Sequence, residues 1–373
     1  MKNTYLIFGK NVQIASEDRF ISDILEEELA QYSSVVENER PDVSIEYVHK
    51  VDDSNVLSSN PSIHKLTKDG FIYQMGPVIS RFYIESGKVT RIIFALKPSS
   101  FLMTLFRKWM NIQYTSHREA IGHWLHEYIL VPYAYTNPDT SLIHASAVRT
   151  QEGKTLVFGG TGGVGKTSLE IDLCTENDCA FVADDICLID RQGYIYPNLA
   201  YPKVYAYNAV GNPNTLRAIF RKRGFLDKLH FRLHSIRGKQ FTRRRISPEE
   251  FYGSVEPNKS KLTAFFILFR GDTDAISFEK LSCEKASRLN YLVMSREYNS
   301  FFDHLVWNEY NAEVFDDTPQ LDFNTLQKKS ESAMNEGLSH SNNTWLVKIP
   351  MNIEHREYQK QMVAKLKELN FIN

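Results

Sequence analysis

Hydrophobic residues recur along this chain with two different periods. Apolar runs of β type cover residues 4–14, 43–48, 70–75, 78–85 and 89–96, and each predicts a strand. Between the first two, Phe20, Ile21, Ile24, Leu25 and Leu29 recur at helical spacing, which predicts an amphipathic helix over residues 17–31 with Ser16 as its cap. Glu85, Ser86, Gly87 and Lys88 join the last two strands as a hairpin turn. Tight connections of this kind make antiparallel sheet, so residues 1–100 are expected to form a separate α+β module. Residues 101–112 and 118–131 carry apolar positions at helical spacing and predict two connecting helices within a linking region at 101–140.

From residue 142 the pattern alternates between strand and helix. Strands are expected at 142–148, 155–158 and 179–183, a helix at 166–175, and a hairpin from 186–190 and 194–196 around Arg191, Gln192 and Gly193. Further on, residues 261–269 predict a buried strand, 283–298 and 299–307 helices, and 316–343 a polar loop with a helix inside it. A last strand at 345–350 and an amphipathic helix at 354–369 close the chain. Strands and helices in this order predict an α/β domain over 141–373, with an insertion at about 211–250.

Composition narrows the class without naming a function. With 42% hydrophobic and 24% charged residues, the chain can bury a core and is not disordered as a whole. Lys plus Arg is 44 against 45 for Asp plus Glu, so the overall charge gives no reason to expect a polyanionic partner and leaves a homo-oligomer open. Cys174, Cys179, Cys187 and Cys283 include no C-x-x-C pair, which fits buried reduced thiols. The apolar run at the start is too short for a signal peptide, and no stretch approaches the roughly 20 apolar residues of a membrane span. A cytoplasmic protein without a membrane partner is the expectation.

The residues with the most chemistry follow the strand at 155–158. Gly160, Thr161, Gly162, Gly163, Val164, Gly165, Lys166 and Thr167 satisfy the phosphate-loop pattern G-x4-G-K-[ST], and Ser168 continues it into the helix. Glycines let successive N–H groups point at one phosphate chain, and the helix start adds its positive end. Lys166 supplies a mobile cation for the outer phosphates, and the Thr167 hydroxyl is placed to ligate Mg2+. Seventeen residues after Thr167, the apolar strand Phe181, Val182, Ala183 ends in Asp184 and Asp185. One such carboxylate can hold a metal while its neighbour accepts a proton from an attacking hydroxyl. His123 and His126 are spaced to share a helix face, where a metal pair competes with structural or surface histidines.

The run Leu142, Ile143, His144, Ala145, Ser146, Ala147, Val148, then the glycine-rich loop, then Val182, Ala183, Asp184, Asp185, resembles the catalytic domain of the HPr kinase/phosphorylase family. That family's nucleotide fold is similar to phosphoenolpyruvate carboxykinase. The resemblance spans roughly residues 140–190 and implies a P-loop kinase core that uses ATP and Mg2+ to phosphorylate a hydroxyl, serine of a protein or peptide being the expected acceptor. It implies that His144 sits beside the transferring phosphate, that Lys166 and Thr167 hold ATP and Mg2+, and that Asp184 and Asp185 supply the general base and a metal contact. The family's Glu-Ile-Arg-Gly-Leu-Gly loop has only a partial echo, Ile236, Arg237 and Gly238, preceded by Ser235. A small-molecule hydroxyl is an alternative acceptor. An NTPase switch, or a nucleotide-dependent nucleic-acid-binding module, is the rival from another class; the double acid favours hydroxyl transfer.

Between residues 217 and 245 there are eleven Lys or Arg against one acid, Asp227. This stretch is a solvated face, a docking surface for an anionic partner, or part of the phosphate-transfer site. It would suit an acidic acceptor, and the interleaved Phe220, Phe225, Phe231 and Phe241 would also suit nucleic acid. Arg237 is the expected arginine for neutralising the transferred phosphoryl group.

Overall fold

A computed structural model describes residues 1–35, 40–60, 63–98, 110, 116–210 and 212–373. The helix expected over 101–112 lies outside the described residues apart from Met110. The chain is of mixed α/β class, with two large mixed sheets and helices packed around them.

The first sheet holds β1 (Lys2–Ile7), β2 (Lys10–Ser16), β3 (Val43–Tyr47), β4 (Val56–Asn60), β5 (His64–Thr67), β6 (Gly70–Met75), β7 (Val78–Glu85) and β8 (Lys88–Leu96). Its spatial order is β1-β2-β3-β8-β7-β6-β5-β4. The single strand expected over 4–14 is a hairpin, because Phe8 and Gly9 take φ of 52° and 73° and turn the chain back on itself. The all-antiparallel expectation also fails at β3. That strand pairs parallel with both β2 and β8, because α1 (Arg19–Leu29) lies in the connection from β2 to β3 and carries the chain across. Asp18 caps α1 in place of Ser16, its side chain accepting from the Ile21 N–H.

The middle of the chain starts with α2 (His117–Leu125), a π-helical turn (His126–Leu130) and α3 (Val131–Tyr135). The single helix expected over 118–131 is broken by that wider turn, and Pro132 sits in the first turn of α3, where its missing N–H costs nothing. Then follow β9 (Thr140–Arg149), β10 (Thr155–Gly159), α4 (Lys166–Glu176), β11 (Ala180–Ala183), β12 (Ile186–Asp190), β13 (Tyr194–Tyr196) and β14 (Lys203–Tyr205). The basic stretch folds as α5 (Pro213–Phe220), α6 (Phe225–Arg237) and β15 (Arg243–Arg245), the last pairing with β14. After it come α7 (Pro248–Tyr252), β16 (Ser260–Gly271), β17 (Ser277–Lys280), α8 (Cys283–Glu297), α9 (Asn299–Val314), α10 (Phe323–Ser339), β18 (Thr344–Pro350) and α11 (His355–Glu368).

Two long strands shape the second sheet. β9 pairs with β12 along its first half and with β10 and β11 along its second, while β16 pairs with β13 at its start and then with β10. The pairings β9–β10–β16–β13–β12–β9 therefore close a circuit, and β18 and β17 extend from the outer side of β16. One hydrophobic cluster runs through both sheets, joining Phe71 and Phe82 of the first to Phe301, Tyr135 and Phe158 of the rest. At the same junction α1 is pinned to β15 by the buried ion pair of Glu28 with Arg245. All four cysteines are free, and three are buried. Among the described residues no helix is long and apolar enough to cross a membrane.

Candidate functional site

β9 runs antiparallel to all three strands that carry candidate residues. Its register sets Ala145 opposite Gly159 of β10, Ala147 opposite Ala183 of β11, and His144 opposite Ile186 of β12. The glycine-rich loop leaving β10 and the acid pair leaving β11 therefore emerge on either side of residues 144–146. Backbone bonds tie the three together: Gly160 N–H donates to the His144 carbonyl at 3.3 Å, and Ala145 N–H to the Asp185 carbonyl at 3.1 Å.

The loop is held by contacts that only glycine permits at two positions. Gly160 has φ 136°, and a Cβ there would lie 2.5 Å from the Leu268 carbonyl oxygen. Gly165 has φ 110°, and a Cβ would meet the Tyr358 ring at 2.6 Å. Gly165 is the N-cap of α4 and no side chain caps that helix, so its first N–H groups and positive end are left for an anion. Thr161, Gly162 and Gly163 are exposed, while Val164 is buried and anchors the loop. Lys166 is buried, and its ammonium donates to the Gly160 and Thr161 carbonyls at 2.9 Å each. Burial lowers its pKa, with Asp185 and Asp184 opposing. Ser168 faces inward, its hydroxyl accepting from Asn208 at 3.0 Å, so only its neighbours open toward the loop mouth.

Asp184 is buried and accepts from two hydroxyls, Thr167 Oγ1 at 2.9 Å and Ser146 Oγ at 2.9 Å. Burial first, and then the Asp185 charge, raise its pKa to about 6. Asp185 has φ 67°, a left-handed conformation that Asp tolerates better than most residues, and turns the chain from β11 into β12. Its carboxylate meets Lys203 of β14 at 2.5 Å, and Lys203 also reaches Glu127 of the π turn at 2.8 Å. Burial raises the Asp185 pKa, but Lys203, through its charge and its hydrogen bond, and more weakly Arg243 outweigh that and hold it below the usual carboxylate range. Glu127 accepts a further bond from Tyr298 at 2.9 Å. Two adjacent carboxylates are thus in opposite electrostatic states, one destabilised as an anion and one clamped as an anion.

His144 is buried, and its pKa falls to about 4 through burial and the nearby Lys166 charge, so the ring is neutral at pH 7. Its Nδ1 has no hydrogen-bond partner within the protein. Behind Asp184, Glu170 of α4 is fully buried and accepts from the Tyr252 hydroxyl; burial and then Asp184 push its pKa well up. No protein-family model matches the sequence, and comparison with curated proteins finds no match.

Arg237 lies in the last turn of α6 and is exposed. The arginine whose charge reaches Asp185 is Arg243 of β15, which also donates to the Tyr205 hydroxyl. Arg244 and Arg245 are buried in ion pairs with Asp227 and Glu28. His123 and His126 are buried, near Glu127 and Glu28 respectively. Among the described residues no group of three or more His, Cys, Asp or Glu is arranged to hold a metal by itself. A groove of about 640 Å3 runs between α4 and α11, lined by Asp172, Asn208, His355 and Gln359; it lies beside the loop helix rather than over the acid pair.

Sequence reasoning passed over Ser146, Glu170, Lys203, Glu127, Tyr298 and Arg243. Two of these carried a signal. Ser146 is two residues from His144 on one strand and so shares its face, and Glu170 is one helical turn beyond Thr167. Lys203 and Glu127 carried none, since 76 residues separate them.

Proposed function

We propose that this chain is an ATP-dependent phosphotransferase similar to HPr kinase, with a nucleotide core of the HPr kinase/phosphoenolpyruvate carboxykinase type. The acceptor in this reading is a hydroxyl, serine of a protein or peptide, with a small-molecule hydroxyl as the alternative. The observation that carries it is the divided acid pair beside the glycine-rich loop. Thr167 and Ser146 converge on Asp184, while Lys203 keeps Asp185 ionised. Water activation for simple NTP hydrolysis needs one metal carboxylate; a second carboxylate in a different electrostatic state suits an incoming hydroxyl.

The donor set fits Mg2+. Thr167 Oγ1 and Asp184 Oδ1 are hard oxygen donors 2.9 Å apart, and Asp184 lacks enough positive charge nearby to keep it at an ordinary carboxylate pKa. When bound there, Mg2+ would offset the negative charge of the nucleotide phosphates. Lys166 and the α4 N-terminus would hold the outer phosphates, and neutral His144 would offer a hydrogen bond rather than a charge. Asp185, partly exposed and ionised, would orient the acceptor hydroxyl and take its hydrogen. A weak base suffices where little bonding to the attacking oxygen has formed in the transition state. Four free thiols and the use of ATP fit a cytoplasmic setting.

Incubation with γ-labelled ATP and a lysate from the source organism tests this reading. Label in a specific acceptor, absent with Lys166→Ala, supports transfer. Release of free phosphate with no labelled acceptor would replace it with an NTPase, and failure to bind any nucleotide would overturn both.

A further inference from the structure

The basic insertion presents an apolar crest that the interior does not use. On α6, Phe225, Leu226, Leu229, Leu233 and Ile236 are 78%, 73%, 38%, 45% and 83% exposed. Their spacing gathers them into one stripe about 100° wide. The opposite side of the same helix is buried through His230, Phe231 and His234. Phe241, 58% exposed, follows in the turn after the helix. A 13-residue helix is thus anchored by one side and shows hydrocarbon to solvent on the other.

Cations rim this crest. Arg232 and Arg237 flank the stripe, Arg221 stands just before the helix and Lys239 just after it, all exposed, while Lys222 beside Arg221 is paired with Glu250. The only acid between residues 212 and 247 is Asp227, and it faces inward in ion pairs with Arg223 and Arg244. Hydrocarbon on the crest with Lys and Arg at its edges matches an anionic lipid surface, where apolar side chains enter the acyl boundary and cations meet headgroups.

The other occupants fit less well. A second copy docking by the same face would oppose two rows of like charge. Nucleic acid finds no partner in Leu226, Leu229, Leu233 and Ile236, which offer neither charge nor a stacking ring. A peptide ligand wants a groove, and here Phe225, Leu226 and Ile236 are each more than 70% exposed rather than lining one. We propose that α6 and its flanking turns dock the protein onto the surface of an anionic bilayer, lying along it without crossing.

Co-sedimentation of the full chain with vesicles tests this, using phosphatidylcholine alone and an equal mixture of phosphatidylcholine and phosphatidylglycerol. The expected result is pelleting with the anionic vesicles only, weakening as salt is raised. The double variant Leu226→Glu, Ile236→Glu should stay in the supernatant, and Arg232→Gln or Arg237→Gln should each lower binding by about fivefold. Both crest positions are exposed, so circular dichroism and the melting temperature of the variants should match the parent. No pelleting with anionic vesicles, or pelleting that the double variant retains, overturns the proposal. So does a dimer in light scattering that the double variant abolishes, or binding to a single-stranded oligonucleotide that competes with the vesicles and survives the double variant.

Discussion

Asp184 pays for its position with stability. Its folded-state pKa of about 6 lies above the ordinary 3.8, so the folded protein holds that proton more tightly than the unfolded chain. The carboxyl therefore costs stability above pH 6, and the cost disappears as pH falls below about 4. Asp184→Asn keeps an acceptor for Thr167 and Ser146 while removing the charge. It should raise unfolding stability at pH 7.5 by on the order of 2 kcal/mol, less at pH 5, while abolishing transfer; urea melts at the two pH values, with the labelling assay, check both. Lys203 acts in the opposite sense, since its single positive charge is shared between Asp185 and Glu127. Lys203→Met should cost about 2 kcal/mol, below the range for fully buried pairs because Asp185 is partly open to solvent. It should also raise the Asp185 pKa, visible as an acidic limb moving upward in the pH–rate profile.

Single elements matter here through their ends. The glycine-rich loop is held against α11, where Tyr358 lies under Gly165 and donates to its carbonyl at 3.3 Å. Gly165→Ala meets both a left-handed φ and the Tyr358 ring, so a loss of about 2 kcal/mol is expected. Adding Tyr358→Ala should not restore nucleotide affinity, because the backbone strain stays; isothermal titration with ATP on both variants separates the two effects. The π turn at His126–Leu130 has a similar role, since it carries Glu127 to Lys203 and Tyr298. A regular helix would rotate the residues after it by part of a turn relative to those before.

Across the whole molecule, buried histidines make the packing of the first sheet against α9 sensitive to pH. His64 of β5 stacks on His304 of α9 with ring centroids 5.6 Å apart. Burial lowers their pKa values to about 3 and about 4 from 6.5. The unfolded chain therefore binds protons that the folded one refuses, so stability is complete above pH 6.5 and declines as pH falls toward 4. Urea unfolding across that window should show the decline, and His304→Phe should flatten it; an unchanged slope would assign acid sensitivity elsewhere, for example to His126 or His144.

What the sequence determined by itself was local. The glycine-rich loop, the helix after it and the acid pair ending an apolar strand are legible because backbone conformation and hydrophobic period act over a few residues. Tertiary structure alone decided that β3 pairs parallel with its neighbours, that Glu127, Lys203 and Asp185 form one ionic network, and that the arginine whose charge acts on Asp185 is Arg243. It also decided which apolar residues of the basic stretch face inward and which form an exposed crest. Those outcomes depend on partners tens of residues away, and charge and burial act through space with no period along the chain to announce them.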